Sequence, residues 1–166
     1  MRARQRGFSL LELVLVIVLF GTLGAIGAPL LRQGLQAYLT GRDIAETDWQ
    51  ARVATERMTR ELRAIRAPAD LTAASASDIA FVDIDGDAIR YCLGGVGGCP
   101  GAAGELMRNG APLASGIGAL AFSFLSRAAG ATGAPASAFY VSVTFTATQN
   151  DVTKSYRATV SPRNFP

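Results

Sequence analysis

The sequence contains no histidine and only two cysteines among its 166 residues. Without histidine, the commonest general base and the commonest metal ligand are both missing, which excludes Ser-His-Asp and Cys-His catalysis. Two cysteines alone cannot supply the four ligands of a structural zinc site. We therefore expect a protein that is not an enzyme and holds no cofactor and no metal, with carboxylate chemistry as the open alternative.

Charged residues are also scarce, at 17% of the chain against about 25% in an ordinary soluble domain. The formal net charge is +3, but Arg2, Arg4 and Arg6 all lie in a short N-terminal stretch. Without these three arginines, the rest of the chain has a net charge of about zero. The composition therefore gives no support for a nucleic acid partner.

A long uncharged stretch follows, with no charged residue between Leu13 and Leu31. Together with residues 8–11 it provides about 24 positions interrupted only by Glu12, enough for a helix to cross a bilayer of roughly 30 Å. Three arginines precede it. By the positive-inside rule, the N-terminus is then on the cytoplasmic side, and the chain after the helix lies on the opposite side of the membrane. The length leaves room for one modest domain beyond this anchor.

The start of the chain has a specific order of residues: Arg6, Gly7, Phe8, then Ser9-Leu10-Leu11 and Glu12. This order resembles the class III signal of type IV pilins and type II secretion pseudopilins. The resemblance implies that a prepilin peptidase cuts after Gly7, releases residues 1–7 and methylates the new N-terminal amine of Phe8. It also implies a precursor anchored in inner-membrane lipid with a periplasmic head, which an inner-membrane assembly platform inserts into a filament beside other pilins.

Glu12 is the single acid of the apolar stretch. A carboxylate deep in a membrane span costs about 2.5–3.5 kcal/mol, so it needs a partner. The resemblance implies that Glu12 meets the amine of Phe8 on the neighbouring subunit, a pair that stabilises only when the register is right. Glu12 also argues against an ordinary signal peptide cut after Ala25-Ile26-Gly27, which would leave a secreted or membrane-anchored periplasmic binding module.

The helical pattern extends beyond the membrane segment. Pro29 removes one backbone donor and predicts a kink, and Gly21, Gly24 and Gly27 indicate close packing of membrane helices. The pattern ends at Ala67-Pro68, so residues 32–66 are expected to continue the helix to Arg66. Two apolar faces follow each other along this helix. The second (Ala51, Ala54, Met58, Leu62 and Ile65) is expected to pack on the chain's own sheet, while the first (Leu35, Leu39, Trp49 and Val53) either packs on neighbouring subunits or covers the domain's edge.

The charged residues near the end of the helix predict a solvated face with ion pairs at i,i+4 spacing, such as Arg57 with Glu61. The segment from Glu56 to Arg63 also resembles the stalk of larger minor pilins, namely secretion pseudopilins of the J class and one minor pilin of the mannose-sensitive haemagglutinin pilus. The last seven residues are similar to the latter. These likenesses favour a subunit at the filament tip or in initiation, and both a pilus and a secretion pseudopilus stay open.

After Pro68 the period changes from helix to strand. Asp85-Gly86 and Asn109-Gly110 each predict a hairpin. Strands are expected at 79–84, 87–93, 106–108, 111–113, 117–125, 139–148 and 153–160, with Gly/Ala-rich loops at 94–104 and 128–138. The prediction is an α+β, pilin-like fold in which a long N-terminal membrane-spanning helix packs on an antiparallel β-sheet head, residues 67–166.

Two smaller motifs lie in this head. Asp83, Asp85 and Asp87 alternate as in a calcium loop, but an EF-hand needs Gly at its sixth position and Glu at its twelfth, so we expect a plain turn and leave cation binding open. Cys92 and Cys99 enclose a glycine-rich loop on the oxidising side of the membrane, which predicts a structural disulfide. A redox function would favour C-x-x-C spacing.

Overall fold

The computed structural model of the chain describes residues 9–128, 130 and 137–165. Gly7 and Phe8 lie outside these residues, as does part of the predicted loop at 128–138. The elements are the helix α1 (Leu10–Arg63), a 3₁₀ turn (Pro68–Asp70), and the strands β1 (Thr72–Ser75), β2 (Asp78–Val82), β3 (Ala88–Leu93), β4 (Leu106–Arg108), β5 (Ala111–Ala114), β6 (Ile117–Leu125), β7 (Tyr140–Gln149) and β8 (Val152–Val160). By its contacts the chain divides into two compact units, Met1–Arg42 and Asp43–Pro166.

The strands confirm the predicted α+β, pilin-like arrangement but form two antiparallel sheets instead of one. β1 to β5 follow each other in a five-stranded sheet, and β6 to β8 form a three-stranded sheet. The chain leaves the first sheet at Gly116, whose φ of 72° is open to glycine at little cost. Single backbone hydrogen bonds then connect β6 to loops of the first sheet, including Phe122 N–H to the carbonyl of Ala76 in the β1–β2 turn at 2.7 Å.

The hairpin turns differ in how well local sequence predicted them. Asn109 and Gly110 form the expected two-residue turn, both with positive φ, between the paired residues Arg108 and Ala111. The expected two-residue turn at Asp85-Gly86 is wrong, because β2 and β3 pair only as far as Val82 with Ala88. The five residues between them form a wider loop that the Asp83 side chain organises.

The helix ends earlier than expected, at Arg63 and not at Arg66. The reason is a competing set of backbone hydrogen bonds after its last turn. Arg66 N–H donates to the Val82 carbonyl at 3.0 Å, and Ile84 N–H donates to the Ala64 carbonyl at 2.9 Å. Residues 64–66 therefore extend along the end of β2, and Ile65 pairs with Asp83 as an isolated bridge.

A main hydrophobic core fills the unit Asp43–Pro166, and a smaller cluster of Cys92, Cys99 and Met107 lies apart from it. The predicted second face of α1 lies in it, and Ala51, Ala54, Met58 and Leu62 are fully buried. Both sheets contribute the opposite wall, with Tyr91 from the first and Phe145 from the second also buried. The two alanines let the helix backbone approach the sheets closely, so the larger side chains of the strands fill the space.

Candidate functional site

The first turn of α1 carries the acid of the predicted assembly site. α1 begins at Leu10, and Leu13 N–H donates to the Ser9 carbonyl at 3.1 Å. Glu12 lies in this turn with an exposed side chain, where its charge also suits the positive end of the helix dipole. None of the ion pairs formed by the described residues includes Glu12. A cation that neutralises Glu12 in an apolar environment would therefore have to come from outside the described residues.

The apolar side chains on both sides of Glu12 in the sequence are not covered by the described part of the chain. Their exposed fractions between Leu10 and Leu31 run from 40% for Val16 to 81% for Leu10. This part of α1 is long and apolar enough to cross a membrane. Exposed apolar surface costs roughly 25 cal/mol per Å² in water, so lipid or other helices are needed to cover it.

The glycines of this segment leave open notches on the helix. Apart from the adjacent residues and the backbone of its own helix turns, a Cβ atom at Gly21, Gly24 or Gly27 would meet no described atom within 4 Å. Any close packing at these notches therefore has to involve another molecule, and their role in helix packing stays a prediction. α1 continues through Pro29 without a break in the helix, and the expected kink at Pro29 also stays a prediction.

Trp49 and Val53 lie on α1 within the unit Asp43–Pro166 and are not part of its core. The exposed fraction is 67% for Trp49 and 37% for Val53. A tryptophan that covered the edge of the head would lose most of its surface to it, and the described head leaves two thirds of Trp49 open. The observation favours the interpretation that this face packs on a neighbouring molecule.

A half-buried ion-pair network joins the later part of α1 to the first sheet. Glu61 accepts hydrogen bonds from Tyr91 Oη at 2.6 Å, Arg108 Nε at 2.9 Å and Arg57 Nε at 3.0 Å. Burial alone would raise the pKa of Glu61, but the bonds from Arg108, Tyr91 and Arg57 outweigh it and lower the pKa. Burial and Glu61 together raise the pKa of Tyr91 well above its usual range. Only the Arg57–Glu61 pair had a local signal in the sequence, its i,i+4 spacing.

A second network joins α1 to β8. The Asp48 carboxylate accepts hydrogen bonds from Tyr156 Oη, from Arg52 Nε at 2.8 Å and from Lys154 Nζ at 3.1 Å. These three donors, Tyr156 first, hold the pKa of Asp48 far below its usual range. Tyr156 also stacks on Phe145, with ring centroids 5.1 Å apart. Sequence reasoning missed this network, because Tyr156 is separated from Asp48 by 108 positions.

The alternating acids Asp83, Asp85 and Asp87 form a turn. Asp83 Oδ1 accepts the backbone N–H of Asp85 at 3.0 Å and of Asp87 at 2.9 Å. This use of an Asp side chain closes the loop without a metal. Among the described residues, no group of three or more His, Cys, Asp or Glu side chains is placed to hold a metal ion.

The structure joins Cys92 and Cys99 in a disulfide with Cα atoms 5.9 Å apart. Both cysteines are buried against Met107, so the bond is shielded from solvent. Gly94 permits the fold of the enclosed loop, because a Cβ there would lie 2.3 Å from the Ala102 carbonyl oxygen. Closing so short a loop stabilises the chain by roughly 2–3 kcal/mol, which fits a structural bond at the end of β3.

A family model matches the N-terminal part of the chain. Residues 2–28 match the family model of the prokaryotic N-terminal methylation motif. The matched residues include the basic stretch, Gly7, Phe8, Glu12 and most of the exposed apolar part of α1. No curated protein matches the chain significantly.

Proposed function

Because its methylation motif, its long apolar helix and its antiparallel head fit a type IV pilin-like protein, we propose that this chain is a minor pilin or pseudopilin. It is a structural subunit and not an enzyme. The precursor is held in the inner membrane with its head in the periplasm. After processing, the chain leaves the membrane and becomes part of a type IV pilus or a type II secretion pseudopilus.

The observation that carries the proposal is the match of residues 2–28 to the methylation motif, in a chain whose following helix is apolar and uncovered. The proposed segments are a leader at 1–7, a membrane and assembly helix at 8–31, its periplasmic continuation at 32–66 and the head at 67–166. A prepilin peptidase cuts between Gly7 and Phe8 and methylates Phe8. Lipid covers the apolar helix before assembly, and helices of other pilins cover it afterwards.

Glu12 gives the helix its assembly role. Phe8, the new N-terminus, has a positive amine, and the exposed carboxylate of Glu12 supplies the opposite charge one helical turn later. In an apolar bundle each charge is costly until the two meet, so the pair on adjacent subunits selects one register. A position near the tip or in initiation is proposed from the likeness of residues 56–63 to the stalks of larger minor pilins.

Intact mass of the protein expressed with and without prepilin peptidase tests the processing. With the peptidase, we expect a chain that begins at Phe8 and carries one added methyl group. Its mass should exceed that of unmodified residues 8–166 by one CH2 unit. Gly7→Leu should leave the precursor uncut, whereas the control Gly27→Leu should be processed normally. A mature chain that begins near Ala28 would instead support the secreted binding module, provided that Gly27→Leu prevents the cut that produces it.

Incorporation of Glu12→Ala into filaments tests the register pair. We expect the variant to insert in the membrane and to be processed at Phe8, but to be recovered in sheared filaments at less than about a tenth of the wild-type level. Thr22→Ala is the matched control, because the Thr22 hydroxyl donates only to Leu19 of its own helix, at 2.9 Å. Normal incorporation of Glu12→Ala would remove the register pair from the proposal and leave the processing intact.

A further inference from the structure

A surface groove of about 680 Å³ lies at the C-terminal end of α1 and is lined by three arginines. We call it the basic groove and define it by Arg60, Arg63, Arg163, Thr59, Ile84 and Asn164. Arg60 and Arg63 come from the last turn of the helix, and Arg163 comes from the chain after β8. Arg163 N–H donates to the Arg63 carbonyl at 3.1 Å, which fixes this segment beside the helix end.

The three guanidinium groups of the basic groove have no carboxylate partner in the described part of the chain. Glu56 is the one acid among the lining residues, so the groove is positive overall. The negative end of the helix dipole accounts for Arg60 and Arg63. It does not account for Arg163, which comes from a different element and adds to the same charge.

The same unit carries the opposite charge farther back along α1. Asp43 and Glu46 share one side of the helix, and Asp151 lies in the turn whose Asn150 amide donates to the Asp43 carboxylate at 3.4 Å. All three carboxylates are exposed, and none forms an ion pair within the described residues. We call this set the acidic patch.

The basic groove and the acidic patch cannot meet within one molecule. Asp43 and Arg60 are 17 positions apart on one continuous helix, which at 1.5 Å per residue separates them by about 25 Å. Their complementary charges can therefore pair only between molecules. A contact of one surface with a different surface on the next copy leaves both surfaces free at the ends of a pair, so it adds further copies until they close into a ring or extend as a filament.

We propose that the acidic patch of a second copy of this chain docks in the basic groove. The proposal rests on the proposed filament role and requires at least two adjacent copies of the chain in one filament, so it stands as the alternative to a single copy at the tip. The arginine forks of the groove bind the carboxylates, and Ile84, whose side chain is 57% exposed, supplies an apolar wall. Copies then contact each other from head to tail in addition to their N-terminal helices.

Charge exchange between two differently tagged full-length copies tests the contact. One variant reverses the groove, with Arg60→Glu, Arg63→Glu and Arg163→Glu, and the other reverses the patch, with Asp43→Arg, Glu46→Arg and Asp151→Arg. The copies are co-expressed, solubilised in detergent and purified through one tag. Each variant should recover its own second copy about tenfold less than wild type does, because like charges then face each other. The groove variant mixed with the patch variant should restore recovery, since both contacts become complementary again.

The controls separate this contact from folding and from processing. Arg157→Glu reverses an exposed arginine of β8 and should leave recovery unchanged. Arg42, the residue that precedes Asp43 in the sequence, is not changed in any variant. If a reversed variant fails to accumulate, the milder Arg60→Gln, Arg63→Gln and Arg163→Gln set replaces it, with a smaller loss expected. Recovery that is insensitive to reversal, or a mixed pair that is not restored, overturns the contact. Correct cutting at Phe8 in those same samples would leave the proposed function standing.

Discussion

At the scale of single residues, Glu61 connects α1 to the first sheet through hydrogen bonds of its side chain. Its carboxylate receives one donor from its own helix and two from the sheet, from Tyr91 and Arg108. The bonds lower its pKa although burial opposes them. A carboxylate whose pKa is lower in the folded chain adds stability above its ordinary pKa and loses it as the pH falls through the folded value.

Glu61→Gln should lower the free energy of unfolding by about 1–3 kcal/mol at neutral pH, because the half-buried guanidinium of Arg108 then loses its charged hydrogen-bond acceptor. The loss of stability as the pH falls below the ordinary pKa of a glutamate should also become smaller, since the titrating group is gone. Denaturant unfolding of the full chain in detergent micelles measures both effects. Glu56→Gln, on the exposed side of the same helix, should change the stability by less than about 0.5 kcal/mol. An equal loss for both variants would refute the network as a specific connection.

Tyr156 offers a test at high pH. Burial, followed by the neighbouring Asp48 carboxylate, raises its pKa to about 12. A tyrosine whose pKa is raised in the folded chain stabilises it below its ordinary pKa, and this contribution is lost as the pH rises through the folded value. In an ultraviolet titration, Asp48→Asn should lower the pKa of Tyr156, and Tyr156→Phe should remove that titration altogether. Arg157→Gln on the exposed face of β8 should leave it unchanged. A Tyr156 that titrates alike with and without Asp48 would contradict the network.

At the scale of elements, α1 has one face buried in the core of the unit Asp43–Pro166 and another face exposed. Met58 is fully buried, whereas Trp49 is 67% exposed on the same helix. Met58→Ala should therefore cost about 2–5 kcal/mol of unfolding free energy. Trp49→Ala should cost less than about 0.5 kcal/mol but should lower recovery of the chain in sheared filaments. Thermal unfolding by circular dichroism and filament recovery measure the two effects. A large loss of stability in Trp49→Ala would show that Trp49 serves the head and not a neighbour.

Local sequence predicted the elements whose own residues specify them. β6 occupies the expected residues 117–125, and Asn109-Gly110 forms the expected turn, because apolar alternation and positive φ are local properties. β1 was missed, since Thr-Ala-Ala-Ser has little strand pattern and pairs only because β2 provides an edge. The end of α1 was misplaced for a similar reason, because Val82 and Ile84 compete for the backbone groups of residues 64–66.

For the candidate site, the N-terminal motif could be recognised completely from the sequence, since its residues are contiguous and match a family model over residues 2–28. The surfaces of the head were not predictable in the same way. Arg163 joins Arg60 and Arg63 only after the whole head has folded between them, and Asp48 meets Tyr156 across a comparable interval. Side chains that converge over such distances leave no local period, so only the folded chain reveals them.

At the scale of the whole molecule, the split into two sheets makes α1 essential to the head. The sheets share few backbone hydrogen bonds, and the main core under the helix holds both together. All of this core belongs to the unit Asp43–Pro166, so the exposed apolar segment contributes nothing to it. The anchor and the head therefore depend on different environments, lipid or other helices for the first and an internal core for the second.

This division predicts that residues 43–166 fold without the anchor. The fragment should be soluble without detergent, should form the Cys92–Cys99 disulfide and should unfold in one cooperative transition, because every buried partner of the core is retained. A fragment of residues 57–166 is the matched control. It lacks Ala51 and Ala54, so the sheets lose the helix turns that cover one end of their core, and we expect a loosely packed or aggregated product. Near-ultraviolet circular dichroism and thermal unfolding distinguish the two states. Failure of the longer fragment, or cooperative folding of the shorter one, would place the stabilising contacts elsewhere than in this helix–sheet core.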